Sequence, residues 1–299
     1  MLVLKYLPTN QEYRLREAKV KLTPSVFDID FSETQKRICR FIKEYVENAG
    51  AKGIVLGLSG GVDSGTIAAL SSLAVGGKNV LGLMLPEEEN FNQKDIDDAK
   101  VIVEKFKLES GICDMSAIME CFYKAIPVFD PEDRLCKGNV KARTRMIYLY
   151  YYANKLNKIV CGSSDKSETM MGYFTKWGDA AADITPIMDL YKTQVRKLAV
   201  HLGIPEELAL KPSTPALWPA QMAETELGIK YDTLDLILYG LERFMTSEEI
   251  ASQLGVSKSI VANVKVRWLA NEHKRKMPLA PKIGYRTVGN DFRLPRHIY

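Results

Sequence analysis

The sequence predicts a doubly wound α/β domain, with a mainly parallel sheet and helices on both of its faces. Three short apolar segments, at 53–58, 79–86 and 158–164, have the composition of strands that are buried on both faces. Helical patterns separate these segments, and a strand–helix–strand succession joins parallel strands through a right-handed crossover. Alternation of this kind is typical of α/β domains.

Length and composition agree with this class. The chain has 299 residues, 46% of them hydrophobic and 26% charged, with a formal net charge of +4. These values exclude a disordered, collagen-like or low-complexity chain. A charge of +4 over this length does not by itself indicate a nucleic-acid or membrane partner. We predict an N-terminal extension over 1–30 and a single domain over 31–299.

The cysteine count and the lengths of the apolar segments predict a reducing, cytoplasmic location. Five cysteines, an odd number without a C-x-x-C pair, argue against a disulfide framework and against a structural zinc site. The first residues contain no apolar core long enough for a signal peptide. No segment approaches the roughly 18 apolar residues of a membrane span. We therefore expect reduced thiols in a cytoplasmic protein without a membrane partner.

Helix signals fill the intervals between the strands. Ser32 and Gln35 have the spacing of a capping box, at the start of a helix that Gly50 ends. The helices predicted after it are 66–75, 92–106, 138–157 and 189–202.

The last of these helices has clear boundary signals. Asp189 is the predicted cap, and Gly203 and Pro205 stop the helix. Segments 211–221 and 277–299 are predicted to be irregular, because both contain several prolines.

A glycine-rich turn at 59–65, SGGVDSG, follows the first strand, where sheets of this class bind ligands. Gly60 and Gly61 allow a tight turn, and the following helix offers free N–H groups to an anion. The turn is neither a Walker A loop nor a G-x-G-x-x-G motif. It carries Asp63, which would repel phosphates unless Mg²⁺ lay between them. The alternative is a turn that only connects two elements; Asp63 favours a magnesium–nucleotide site.

Other charged positions also have a structural and a functional interpretation. Asp165 and Glu168 form a D-x-x-E capping box, or Glu168 is a second Mg²⁺ ligand across the sheet edge from Asp63. Lys192 lies in the first turn of a helix, whose positive end disfavours a lysine unless a phosphate lies nearby. Arg143 begins an apolar stripe, where a snorkelling arginine is the structural interpretation.

The SGGVDS sequence resembles the signature of the ATP pyrophosphatase (PP-loop) superfamily, whose members cleave ATP between its α and β phosphates. A second segment, GSSDKSETMMGYFTKWGDAAADITPIMDLYKTQVRKLA at 162–199, resembles ammonia-dependent NAD synthetases, and similarity continues at 141–146, 211–235 and 271–295. The resemblance implies an adenine nucleotide alpha hydrolase-like fold. It also implies amidation of deamido-NAD to NAD with ATP and free ammonia, through an adenylated nicotinate, with release of AMP and pyrophosphate.

The resemblance implies roles for individual residues of this chain. Mg²⁺ would be bound by Asp63 and Glu168, and the catalytic residues would be Asp63, Lys176 and Asp183. The residues implied in deamido-NAD binding are Arg143, Lys176, Asp183, His273 and Lys274. The residues implied in ATP binding are Gly57, Leu58, Ser59, Gly60, Gly61, Val62, Asp63, Ser64, Ser163, Lys192 and Thr214.

The resemblance also bears on partners and on departures from the family. Such synthetases are typically homodimers with substrate near the interface. The matching segments fill most of the chain, so we expect free ammonia rather than a glutamine-hydrolysing domain as the nitrogen source. Ala180, Ala181 and Ala220 stand where relatives commonly have glycine, and alanine tolerates a positive φ poorly.

Two other classes of function are less consistent with the sequence. Residues 246–268 fit a helix-turn-helix with Gly255 at the turn, but two short helices around a glycine are also a common packing unit. We therefore predict no nucleic-acid partner. A tRNA-thiolating enzyme of the same superfamily usually has paired cysteines, and this chain has no suitable pair.

Overall fold

A computed structural model describes residues 21–288 and residue 291. Most of the predicted N-terminal extension (1–20) lies outside the described residues, as do 289, 290 and 292–299 at the end of the predicted irregular arm. Residues 277–287 form neither helix nor strand.

Four parallel strands form the sheet in the described part of the chain, in the spatial order β3, β2, β1, β4. They are β1 (Ile54–Gly57), β2 (Val80–Met84), β3 (Glu109–Ile112) and β4 (Ile159–Val160). Ile54 pairs with Val80 on one side and with Ile159 on the other, so β1 is central. The all-parallel pairing confirms the predicted class. β3, a partly polar strand at the edge of the sheet, was not predicted from the sequence.

Helices surround the sheet. Those of the described residues are α1 (Phe31–Asn48), α2 (Val62–Val75), α3 (Gln93–Phe106), α4 (Ser116–Ala125), α5 (Arg134–Leu156), α6 (Lys166–Met171), α7 (Lys192–His201), α8 (Glu206–Ala209), α9 (Ala223–Leu227), α10 (Tyr231–Glu242), α11 (Ser247–Leu254), α12 (Lys258–Ala270) and α13 (Glu272–Arg275). None of these helices has the length and apolar character needed to cross a membrane.

Two predicted helix caps are wrong. Asp30, not Ser32, caps α1, and its side chain accepts a hydrogen bond from the Glu33 N–H at 2.9 Å. Serine and aspartate are similarly good N-caps, so the local sequence did not distinguish them. α7 begins after Tyr191 rather than at Asp189, whose exposed side chain lies in the preceding loop.

The sheet is covered on both faces. Ile54 and Leu56 of β1 belong to a core with α1, α2, α3 and α7. Val55, between them, belongs to a second core with α4 and α5. Successive residues of a strand point to opposite faces, so this alternation places helices on both sides of β1, as the doubly wound class requires.

A third core lies beside the sheet. It joins α6, α10, α11 and α12 with the segment before α1, from which Leu22 and Phe27 are buried. The helix-turn-helix-like segment contributes Ile250 of α11 and Val261 of α12 to this core. The apolar faces of α11 and α12 therefore serve internal packing.

Candidate active site

The glycine-rich turn, called the glycine loop (59–65) from here on, connects β1 to α2. α2 begins at Val62, within the motif and earlier than predicted. Its N-cap residue is Gly61, which has no side chain to bond the first N–H groups of the helix. The first N–H groups of α2 are therefore available to an anion. Ser64 Oγ lies 3.1 Å from Ser59 Oγ and donates to the Gly61 carbonyl at 3.1 Å, which closes the turn.

Gly60 allows α3 to approach the glycine loop closely. Its φ is +73°, and an added Cβ would lie 2.3 Å from the Asp95 carbonyl oxygen. Lys211 Nζ lies 3.4 Å from the Gly60 carbonyl, 2.7 Å from Asp95 Oδ1 and 2.5 Å from Asp98 Oδ2. Lys211 thus joins the 211–221 segment to the glycine loop. This role of Lys211 was not predicted from the sequence; a local signal for it is the pair Asp95 and Asp98, one helical turn apart on α3.

Three carboxylates and one ammonium group meet beside the glycine loop, forming the carboxylate–lysine cluster (Asp63, Asp165, Glu168 and Lys192). Lys192 Nζ lies 2.6 Å from Asp63 Oδ2, 2.9 Å from Asp165 Oδ2 and 2.8 Å from Glu168 Oε1. The side chains of Lys192 and Asp165 are fully buried. β1 and β4 are neighbours in a parallel sheet, so the residues that follow them meet at one edge.

Burial controls protonation in this cluster. Desolvation raises the pKa of Glu168 to about 8, against the opposing effect of Lys192. Desolvation likewise raises the pKa of Asp165. Burial alone would lower the pKa of Lys192, but the three carboxylates reverse this and hold its pKa well above the ordinary value. Lys192 is therefore an ammonium ion, and loss of the Glu168 proton leaves an excess of negative charge.

The cluster has the chemistry of a divalent-cation site. Ligand atoms of Asp63, Asp165 and Glu168 all lie within 4.8 Å of one another. Asp63 Oδ1 is buried and accepts no hydrogen bond. An all-oxygen set of this kind is what Mg²⁺ prefers. The sequence analysis treated Asp165 only as a cap; it is the cap of α6, with the Glu168 N–H donating to Oδ1 at 2.8 Å, and also a member of the cluster.

The remaining predicted ATP residues lie near the carboxyl edge of the sheet or in the 211–221 segment. Gly57 ends β1, Leu58 is buried after it, and Ser163 lies half-buried between β4 and α6. Thr214 is exposed, and its Oγ1 accepts the Ala216 N–H at 3.1 Å.

Helix α5 holds the 211–221 segment in place. Lys141 Nζ donates to the Leu217 carbonyl at 3.0 Å, and Arg145 Nη2 lies 3.5 Å from the Ala216 carbonyl. Gly138 makes room for this contact, since an added Cβ would lie 3.1 Å from Leu217 Cβ. The segment is thus fixed at α5 as well as at the glycine loop.

The three alanines that are expected to stand at glycine positions differ in their backbone conformations. Ala220 has a φ of +57°, the left-handed conformation that favours glycine. Ala180 and Ala181 do not have a positive φ. The replacement therefore affects backbone strain only at Ala220.

Four of the predicted dinucleotide residues lie together. Lys176 Nζ donates to the His273 carbonyl at 2.7 Å, and Arg143 Nη2 donates to the Lys176 carbonyl at 3.3 Å. Lys274 Nζ donates to the carbonyl of Phe174, in the same loop as Lys176, at 3.0 Å. This group joins α5, the loop after α6 and α13, which are far apart in sequence.

Asp183 lies beside β4 and makes different contacts. Its Oδ2 accepts the Val160 N–H at 2.8 Å, and its Oδ1 accepts the Tyr150 hydroxyl at 3.2 Å. The two bonds fix the orientation of the carboxylate, although the residue remains exposed.

An acidic cavity of about 260 Å³ lies beyond β2, and its lining includes Glu87, Glu88, Glu89, Glu120 and Tyr123. It includes no residue of the carboxylate–lysine cluster. Its four glutamates would repel phosphates, so we do not assign the nucleotide phosphates to it.

Comparisons with known proteins show the family of this chain. A family model described as NAD synthase matches residues 34–278. The NH(3)-dependent NAD(+) synthetase of Hyperthermus butylicus is 46% identical over 86% of this chain and 92% of that protein. Similar solved structures include an NMN synthetase from Francisella tularensis (TM-score 0.76, 32% identity, covering 86% of this chain and 100% of that one). Another is an NH3-dependent NAD synthetase from Campylobacter jejuni in complex with the nitrate ion (TM-score 0.72, 31% identity, 85% and 100%). With a family model that matches residues 34–278 and a relative that is 46% identical over 86% of the chain, this chain belongs to the NAD synthase family.

Proposed function

We propose that this chain amidates deamido-NAD to NAD, using ATP and ammonia and releasing AMP and pyrophosphate. The observation that carries the proposal is the position of the carboxylate–lysine cluster beside the glycine loop, in a member of the NAD synthase family. The NH3-dependent relatives described above are covered over nearly their whole length, which supports ammonia as the nitrogen source.

The chemistry requires activation of a carboxylate. Ammonia does not displace oxide from the nicotinate carboxylate, so a better leaving group is needed. A nicotinate oxygen attacks the α-phosphorus of ATP, and the bond from that phosphorus to the pyrophosphate oxygen breaks. Ammonia then forms a bond to the acyl carbon, AMP leaves with the bonding electron pair, and the nitrogen loses a proton to give the amide. Positioning and charge neutralisation are the main tasks of the protein.

The glycine loop and the cluster would serve the ATP phosphates. The N–H groups at the start of α2 would bind phosphate oxygens. Lys192, kept protonated by the carboxylates around it, would donate to the departing pyrophosphate. Asp63, Asp165 and Glu168 would hold Mg²⁺, which neutralises negative charge on the phosphates when it is bound.

The second group of residues would serve the dinucleotide. Lys176, Lys274 and Arg143 bring three positive charges to the loop after α6, where they would bind the phosphates or the carboxylate of deamido-NAD. Asp183, held by the Val160 N–H, would place the nicotinate end. We assign the catalytic roles to Asp63, Lys176 and Asp183, as the sequence analysis predicted.

A substrate assay tests the proposed function. Purified protein with ATP and Mg²⁺ is given deamido-NAD or nicotinate mononucleotide, each with ammonium or glutamine. We expect NAD, AMP and pyrophosphate in equal amounts from deamido-NAD and ammonium, and little from glutamine. Preferential amidation of the mononucleotide would instead place the chain with the NMN synthetase among its structural neighbours. Absence of any amidation by folded protein would contradict the proposal.

Metal affinity is expected to increase with pH up to about pH 8. Burial raises the pKa of Glu168 to about 8, so below that pH a proton must leave before this carboxylate can bind a metal. The affinity should fall about tenfold for each pH unit below 8. Titration of nucleotide-free protein with Mn²⁺, followed by the electron paramagnetic resonance of free Mn²⁺, measures this. Equal affinities at pH 6 and pH 8 would contradict the prediction. Glu168→Gln should reduce the pH dependence to the part contributed by Asp165, whose pKa is also raised by desolvation.

We further propose that the chain is a cytoplasmic homodimer. α5 presents two exposed apolar side chains one turn apart on the same face, Ile147 and Tyr151, whose exposed fractions are 51% and 62%. Exposed apolar surface of this kind is typical of interaction sites. Ile147→Asp is therefore expected to convert the dimer to monomers in sedimentation equilibrium. Val266→Asp on α12, where the side chain is 65% exposed, is the control and should leave the dimer intact.

A further inference from the structure

The first turn of α7 carries Lys192, but the residue before the helix does not cap it. The Tyr191 hydroxyl donates to Glu242, and Gln194 Oε1 accepts the Tyr191 N–H at 3.0 Å. Neither side chain therefore serves the N–H groups of Lys192 and Thr193. A helix leaves its first N–H groups without partners in the helix, and such groups are costly to bury unpaired. Because Lys192 is fully buried, side chains from elsewhere must satisfy these N–H groups.

Two side chains from other helices do so. Ser167 Oγ, on α6, accepts the Lys192 N–H at 2.9 Å. Asp235 Oδ2, on α10, accepts the Thr193 N–H at 2.9 Å. Asp235 Oδ1 also accepts the Ser167 hydroxyl at 2.5 Å. The Ser167 proton therefore points to Asp235, which leaves a lone pair of Ser167 Oγ for the Lys192 N–H.

Burial of the Asp235 carboxylate is unfavourable in free energy. It is fully buried, and desolvation raises its pKa to about 7 against the opposing hydrogen bonds from Ser167 and Thr193. An apolar side chain of similar volume would not carry this desolvation penalty. The carboxylate is compensated by two hydrogen bonds, from the Ser167 hydroxyl and the Thr193 N–H, and by the positive end of α7. Through these bonds the carboxylate links α6, α7 and α10.

The same face of α10 also contacts the carboxylate and ammonium groups of the cluster. Tyr231 lies one turn before Asp235, and residues four apart share a helix face. The Tyr231 hydroxyl lies 3.4 Å from Glu168 Oε1, and Lys192 Nζ lies 5.3 Å from the centre of its ring. α10 thus supports both the backbone that carries Lys192 and the groups around its ammonium.

We propose that Asp235 is a positioning residue for Lys192: with Ser167, it fixes the first turn of α7 and so places the ammonium group among the three carboxylates. The proposal rests on the proposed function in that Lys192 is assigned there to the ATP phosphates. Asp235 itself lies behind the cluster and touches none of the groups assigned to substrate.

The kinetic test compares Asp235→Ala with Asp235→Asn. An asparagine can still accept the Thr193 N–H and donate to Ser167, so its kcat should stay within about fivefold of the wild-type value. Asp235→Ala should lower kcat about 100-fold at saturating substrates, because small displacements of a reacting-site group have effects of that size. The KM for deamido-NAD should change less than about twofold, since its proposed binding residues lie elsewhere. Asp232→Ala, on the same helix with an 80% exposed side chain, is the control and should resemble wild type.

A second measurement does not depend on activity. Hydrogen exchange of the Lys192 and Thr193 amides, and labelling of the Lys192 amine by an acylating reagent, are measured by mass spectrometry in the same variants. In Asp235→Ala both should increase at least about tenfold, as expected for a freed helix end, while exchange in α2 is unchanged. Unchanged exchange and labelling would overturn the proposal whatever the activity.

Two further outcomes are also decisive. If the wild-type chain makes no NAD, the proposed function is wrong, and exchange and labelling still decide the role of Asp235. If Asp235→Ala does not fold, Ser167→Ala takes its place. It removes the acceptor of the Lys192 N–H and the donor to Asp235 Oδ1, but it keeps the bond between Asp235 and the Thr193 N–H. If the Lys192 amide in Ser167→Ala exchanged hydrogen as slowly as in the wild type, the proposal would be overturned.

Discussion

Lys192→Met is expected to lower kcat for NAD formation by about a thousandfold or more, because it removes a charge assigned to the departing pyrophosphate. It should also destabilise the nucleotide-free protein by about 3–5 kcal/mol, since it leaves the fully buried Asp165 and the partly buried Asp63 and Glu168 without their ammonium partner. A divalent cation that binds those carboxylates would restore part of this stability. Thermal unfolding with and without Mg²⁺, together with steady-state kinetics, measures both effects.

A lysine on the same helix provides the control. Lys197 of α7 is 43% exposed and pairs with Asp28, away from the cluster. Lys197→Met should keep wild-type kcat and respond to Mg²⁺ as the wild type does, whereas the Lys192 variant should be stabilised by Mg²⁺ much more strongly. Wild-type kcat in Lys192→Met would remove Lys192 from the proposed mechanism.

The residues of the site that belong to local sequence motifs can be predicted from the sequence. The glycine loop follows the first strand, and Asp63 and Glu168 were predicted to meet across one sheet edge. The structure brings them together with Lys192, because β1 and β4 are adjacent and parallel. The family resemblance was also required, since the D-x-x-E spacing of Asp165 and Glu168 fits an ordinary helix cap equally well. Asp165 has both roles in the structure, which the local pattern could not reveal.

The contacts that complete the site could not be predicted in this way. The lysine of the cluster meets Asp63 across 129 positions of the chain, and Ser167 meets Asp235 across 68. Such contacts depend on how α6, α7 and α10 pack, and no periodic pattern encodes that packing. The same limit applies to Lys211, whose partners are on α3. Sequence patterns report local structure, and these residues act through tertiary contacts.

Gly60→Ala is expected to abolish ATP binding and amidation. The left-handed conformation of Gly60, with φ of +73°, costs an alanine about 1–2 kcal/mol. The larger effect is steric, because the added Cβ would lie 2.3 Å from the Asp95 carbonyl oxygen, a backbone atom of α3. Either the glycine loop or the start of α3 must move, and the N–H groups proposed to bind phosphate move with it. Calorimetric ATP binding and urea unfolding measure the two consequences.

Gly228→Ala separates the two costs. Gly228 has nearly the same φ, +71°, but no atom lies within 4 Å of the position of its added Cβ. This variant should therefore lose only the conformational term of about 1–2 kcal/mol and should bind ATP as the wild type does. The difference between the two variants measures the contact between the glycine loop and α3. If both lost the same small stability and both bound ATP, that contact would not hold the glycine loop in its binding conformation.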